Sequence, residues 1–210
     1  MTRPTPTWVT HFTHIDHLGT IIREGLLADT VASGGLLQRE AGNPSIKAAR
    51  RRLSVPIHPY GVVADYAPFY FAPRSPMMSA IVHGRVPEFG TDVTGLMFLV
   101  TTTQALVAAE HEVLFTDRNA RLEYAEFRPE SACEGLVDWA LMKETWWYDT
   151  LEYPDRSERR MAECLVHSGV PFELFHQIGV HGEAQAATVR DVLAAHGRTT
   201  PVYVRSDWYF

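Results

Sequence analysis

The apolar stretches of this chain are short, rich in β-branched and aromatic residues, and punctuated by Gly and Pro at irregular intervals. Trp8-Val-Thr-His-Phe-Thr13, Ala67-Pro-Phe-Tyr-Phe71, Thr94-Gly-Leu-Met-Phe-Leu-Val-Thr-Thr102, Val113-Leu-Phe-Thr-Asp117, Met161-Ala-Glu-Cys-Leu-Val166, Leu174-Phe-His-Gln-Ile-Gly-Val180 and Pro201-Val-Tyr-Val-Arg205 all read as strands. Helical spacing is rarer. Leu18, Ile21, Ile22 and Leu26 recur at a helical interval behind a capping Asp16, with Gly25 marking the end. Residues 46–53, 77–83, 103–110 and 183–196 suit further short helices. Strands outnumber strong helices and their order is irregular, so the expected class is α+β with a mixed or antiparallel core sheet.

Residues 32–66 carry Gly34, Gly35, Gly42, Pro44, Pro56, Pro59 and Gly61, which break any long element. A loop of that length in a compact domain is usually functional. A length of 210 residues suits one compact domain, or two very small ones at most, with 46% apolar residues to fill a core. Cys133 and Cys164 are too few for a disulfide framework or a thiolate zinc site. No basic region followed by an apolar stretch opens the sequence, and no apolar run is long enough to cross a bilayer, so a soluble, cytoplasmic protein without membrane contact is expected.

Nineteen Lys and Arg against 25 Asp and Glu leave a net charge of −6, which argues against a protein that coats DNA. Positive charge is nonetheless gathered at Lys47, Arg50, Arg51 and Arg52, and again at Arg156, Arg159 and Arg160. Such a patch either holds a few phosphates or is simply a solvated face.

Three features point to chemistry. His11 and Thr13 alternate onto one face of their strand and can both hydrogen-bond a polar ligand, or His11 is a core histidine with its ring satisfied. Phe69 and Tyr70 point to opposite faces, so one ring enters the core while the other is able to stack on a planar ligand; two plain core aromatics are the simpler alternative. Glu163 stands in an apolar strand, where a carboxylate needs a partner or a task, unless the segment is a helix end at the surface. His11, His14 and His17 are spaced three apart, but a strand followed by a helix scatters them, and no metal site is expected.

Taken in order, five segments resemble the DarT family of DNA ADP-ribosyltransferases, the toxins of DarT–DarG toxin–antitoxin systems. They are His11-Phe-Thr-His-Ile-Asp-His-Leu18 with Ile22 and Gly25-Leu26; Asn43-Pro44 with Lys47 and Arg50-Arg51; Pro68-Phe-Tyr-Phe-Ala-Pro-Arg-Ser-Pro-Met77; Arg159-Arg-Met-Ala-Glu163 with Val170-Pro-Phe-Glu-Leu174; and Trp208-Tyr-Phe210. The likeness spans nearly the whole chain, with one departure: His17 stands where the family usually has Asn.

The resemblance implies an ADP-ribosyltransferase-like α+β fold over residues 1–210, with a split mixed or antiparallel sheet and NAD, as substrate and without metal, in a central cleft. It implies catalytic roles for Glu163 and Arg51, NAD contacts from His11, Thr13, Tyr70 and His17, and DNA contacts from Lys47, Arg50 and Arg74. Residues 121–155 would form the substrate-recognition region. The implied reaction moves ADP-ribose onto thymine in single-stranded DNA, with a DarG-type macrodomain antitoxin as partner. Guanine or another acceptor, and a non-catalytic nucleic-acid-binding module, are the alternatives.

Overall fold

The computed structural model describes residues 2–32, 44–86 and 91–210. Its centre is an eight-stranded sheet. In chain order the strands are β1 (Trp8–His14), β3 (Tyr66–Tyr70), β4 (Leu96–Thr102), β5 (Val113–Thr116), β6 (Phe127–Pro129), β7 (Glu163–His167), β9 (Gln177–Val180) and β10 (Val202–Val204). A separate two-stranded ladder pairs β2 (Leu26–Leu27) with β8 (Gly169–Val170). Across the large sheet the order is β10-β9-β4-β1-β3-β7-β5-β6, antiparallel except for the β9–β10 pair. The expected α+β class with a mixed sheet is the one observed.

β4 shows why the chain folds around this sheet. All seven of its residues are buried. Met97 and Leu99 join the cluster that contains Leu18, Ile21 and Ile22 of α1 (Leu18–Glu24) and Val189 and Leu193 of α7 (Glu183–Ala195). Leu96, Phe98 and Val100 face the other way, into Met78 and Ile81 of α4 (Pro76–Val82) and Tyr209. A strand covered on both faces needs no polar alternation, hence its continuous apolar sequence.

The sheet is split in its middle. β1 matches β4 at seven positions and β3 matches β7 at five, yet β1 and β3 meet only at Thr10 and Tyr70. Pro68 lies just beyond that meeting point on β3 and has no N–H to donate. Its carbonyl oxygen is taken instead by the His11 ring, at 2.7 Å. A gap thus opens between two four-stranded halves.

Several local expectations change. Asp16 does not cap α1; the His14 ring accepts the Asp16 N–H and opens a 3-10 turn over Ile15–His17, so α1 starts at Leu18 without a side-chain cap. Gly25 does end it, at φ +83°, where an added Cβ would lie 2.8 Å from the Val170 carbonyl oxygen. The poorly patterned stretch holds more structure than its sequence suggests. α2 (Asp29–Ala32), α3 (Pro44–Arg50) and a 3-10 turn at Val63–Asp65 all fall in or beside it. Gly34, Gly35, Gly42 and Asn43 lie outside the described residues. α5 (Thr103–Ala108) follows β4 with the Thr102 hydroxyl as its cap, and α6 (Arg156–Arg159) precedes β7. No helix among the described residues is long and apolar enough to cross a membrane.

Candidate active site

Glu163 opens β7 and is 1% exposed, so the carboxylate flagged in the sequence is buried. It is fully partnered. Its backbone N–H donates to the Thr116 hydroxyl at 3.1 Å, and the Ala120 N–H donates to Oε2 at 2.9 Å. Arg50, from the end of α3, places Nη1 2.9 Å from Oε1 and 3.0 Å from Oε2. Nη2 of the same guanidinium is buried with no hydrogen-bond partner. One nitrogen of Arg50 therefore straddles the carboxylate while the other keeps its donors.

Tyr70 is the direct cross-strand partner of Glu163 and stacks on Phe12, with ring centroids 6.3 Å apart and planes 16° from parallel. Phe69 turns the opposite way into the core, beside Phe175. Burial, then the Glu163 charge, pushes the Tyr70 phenol above its ordinary range. It stays protonated and is a hydrogen-bond donor only to acceptors that enter the cleft.

His11 and Thr13 lie on the face of β1 opposite to Phe12, as alternation requires. The split brings them into the same cleft as Tyr70 and Glu163, because the cleft passes between the halves of the sheet rather than over one face. His17, from the 3-10 turn, closes this end with its Nδ1 2.8 Å from the Thr13 hydroxyl. Lys47 and Arg50 line the cleft from α3.

Burial lowers the His11 pKa from 6.5 to about 4, only partly offset by the Pro68 carbonyl, with His17 and Arg50 adding to the fall. The neutral ring therefore donates Nδ1–H to Pro68 and presents Nε2 as an acceptor. The unfolded ring takes a proton near 6.5 while the folded ring waits until about 4. Between these values the unfolded state holds more protons, so acidification destabilises the fold by up to about 1.4 kcal/mol per pH unit through this group. Urea unfolding from pH 7 to pH 4 should show that slope, and the His11→Gln variant should show a shallower one. Equal slopes would rule His11 out as the cause.

The remaining expected site residues are placed differently. Arg51 turns away from Glu163 and sets Nε 2.7 Å from Asp29 Oδ2, with its side chain 47% exposed. Arg74 lies outside the cleft, its guanidinium 4.4 Å from the centre of the Phe210 ring, while its carbonyl oxygen accepts from the buried Arg160. Of the tryptophans between 139 and 147, Trp139 and Trp147 are buried and Trp146 is exposed. No group of three His, Cys, Asp or Glu side chains among the described residues is arranged to hold a metal ion.

Sequence reading passed over the 116–120 turn. Its contribution to Glu163 is a hydroxyl and a backbone N–H, and a backbone donor leaves no trace in residue type. Asn119 at the cleft wall was the available hint.

A cleft of this kind fits a dinucleotide substrate. A neutral imidazole acceptor and a hydroxyl on β1, a phenol on β3 stacked on an aromatic ring, and a buried carboxylate beyond it on β7 all line this cleft.

Comparison with known proteins agrees with this reading. Residues 10–210 match the family model described as ssDNA thymidine ADP-ribosyltransferase, DarT. A DNA ADP-ribosyl transferase of Thermus sp. (strain 2.9) is 35% identical over 212 residues, covering 100% of this chain and 99% of the relative. The solved structure of Thermus sp. 2.9 DarT in complex with ADP-ribosylated ssDNA superposes with a TM-score of 0.91 at 34% identity, covering 100% of this chain and 99% of the other. Its complex with NAD+ gives 0.87 at the same identity, with both chains covered in full.

Proposed function

Since this chain belongs to the DarT family and is an NAD-dependent DNA ADP-ribosyltransferase acting on thymidine in single-stranded DNA, we propose how its own residues divide that reaction. The fold is ADP-ribosyltransferase-like and NAD is the substrate. The bond between the nicotinamide nitrogen and the ribose carbon breaks, its electron pair leaving with nicotinamide. A thymine ring nitrogen forms the new bond, and its proton goes to water.

Glu163 is the catalytic carboxylate. Cleavage builds positive charge on the ribose, in a state related to that of glycoside hydrolysis. A buried, prepositioned carboxylate that exchanges part of its Arg50 contact for a ribose hydroxyl stabilises that charge as it forms. His11 accepts from the same ribose through Nε2, with Thr13 and His17 beside it, and Tyr70 with Phe12 flanks the nicotinamide. The leaving group is already a cationic pyridinium, so the step as drawn calls on protein side chains alone.

Arg50, rather than Arg51, serves the acceptor. Guanidinium stays protonated and is a poor base. Its free Nη2 donors are suited to a base carbonyl whose negative charge grows as the ring nitrogen loses its proton. The observation that carries this reading is the single guanidinium that binds Glu163 through one nitrogen and leaves the other unpaired. The nitrogen that attacks the ribose carbon lies on the pairing edge of thymine and is masked in a duplex, which accounts for a single-stranded substrate.

Lys47 at the cleft wall and Arg74 beside Phe210 are assigned to DNA phosphates, and residues 121–155, with exposed Trp146, Tyr148 and Tyr153, to the flanking strand. A cytoplasmic location and a DarG-type macrodomain antitoxin complete the proposal.

Incubation with labelled NAD and defined oligonucleotides tests it. Label should appear on single strands containing thymine and vanish when thymine is replaced or the strand is paired. Label that follows guanine instead, or no label with DNA still bound, would overturn the assignment.

A further inference from the structure

Arg50 reaches Glu163 from a helix too short to hold its own position. α3 spans seven residues, and isolated helices below about 12–15 residues are marginal in water. Its orientation therefore comes from what it touches, and two of its cationic neighbours meet on one carboxylate. Asp29, the first residue of α2, has Arg51 Nε 2.7 Å from Oδ2 and Lys47 Nζ 3.3 Å from Oδ1.

The helical turn continues through residue 51, whose N–H donates to the Lys47 carbonyl at 3.1 Å. Lys47 and Arg51 thus share one face, four residues apart, while Arg50 leaves the helix about 100° away from Arg51. Holding the Lys47–Arg51 face against α2 sets the direction in which Arg50 points.

α2 is in turn tied to the catalytic strand. The Ala28 N–H donates to the carbonyl of Ser168, the residue after β7, at 3.0 Å. Thr30 donates its hydroxyl to Asp65 Oδ1 at 2.8 Å, in the 3-10 turn that leads into β3. A closed circuit results, from Glu163 along β7 to Ser168, across to α2 and Asp29, through Arg51 to α3, and back through Arg50 to Glu163.

We infer that Asp29 and Arg51 form a positioning pair for base capture, an inference that rests on the role proposed above for Arg50. The Arg51 side chain is 47% exposed and Asp29, 18% exposed, keeps Lys47 as a second cation, so losing Arg51 costs little stability and the effect belongs in the rate. Small misplacement of a reacting group is costly, on the order of 10²-fold for 1 Å.

Arg51 lies outside the cleft that Asp29 and Lys47 line, and the NAD contacts proposed above come from His11, Thr13, His17 and Tyr70 on other elements. In the full chain, Arg51→Glu should lower kcat for transfer to a thymine oligonucleotide about 10-fold, with KM for NAD unchanged within about 2-fold. Melting should be unaltered, and Arg51→Lys should keep at least half the parent kcat. If Arg51→Glu melts early, Arg51→Gln carries the same expectation at about 3-fold. Parental kcat in the charge-removing variants, a Lys variant as slow as the Glu variant, or a loss confined to KM for NAD would overturn the pair. A parent that labels no thymine would instead overturn the underlying function, which keeps the two failures apart.

Discussion

Glu163→Gln should lower the rate of ADP-ribose transfer by about 10²–10³-fold or more while NAD still binds, because one prepositioned electrostatic contact in a water-poor site is worth that much. Gln keeps the size and one acceptor oxygen but loses the charge that opposes the ribose cation. Its amide also presents N–H donors toward the Ala120 N–H or the Arg50 guanidinium, both of which are donors themselves. Ground-state binding of NAD draws on His11, Thr13 and Tyr70 as well, so the affinity should change far less than the rate. Single-turnover transfer to a thymine oligonucleotide, beside calorimetric NAD binding, separates the two. A parallel loss of both would mean that Glu163 serves binding only.

Arg50 should be nearly as sensitive, and in two distinguishable ways. Arg50→Ala strands a carboxylate that is 1% exposed, leaving it the Ala120 N–H alone. Breaking one side of a buried ion pair costs about 3–5 kcal/mol, so this variant should melt early as well as fail to transfer. Arg50→Lys is the sharper test. An ammonium group can reach between both Glu163 oxygens, as Nη1 does, but it has no second nitrogen to offer the base. The Lys variant should therefore fold and bind NAD while transfer falls by about 10²-fold. Parental transfer by the Lys variant would remove the need for a forked donor.

Much of the fold was readable because its strands obey simple patterning. β4 is continuous and apolar since both its faces are covered, and the strand alternation of β1 correctly sets His11 and Thr13 on the face opposite to Phe12. Glu163 stood out for the plain reason that an unpaired carboxylate does not belong in an apolar strand. The choice between Arg50 and Arg51 was not readable. Neighbouring residues on a helix diverge by about 100°, and which of them faces Glu163, 113 positions away, depends on how α3 is seated. Asp29 decides that seating from a segment whose own sequence has no catalytic signature. The start of α1 was misjudged for a related reason. A histidine ring, not Asp16, takes the free N–H and inserts a 3-10 turn. Local competition between caps is settled by geometry that composition does not record.

A crystal structure of this protein with a non-cleavable NAD analogue would test the central claim most directly. A Glu163 oxygen should then lie at hydrogen-bond distance, about 2.7–3.2 Å, from a hydroxyl of the nicotinamide ribose, with His11 Nε2 facing the same sugar. Finding Glu163 still held only by Arg50 and Ala120, with the ribose out of its reach, would contradict the account.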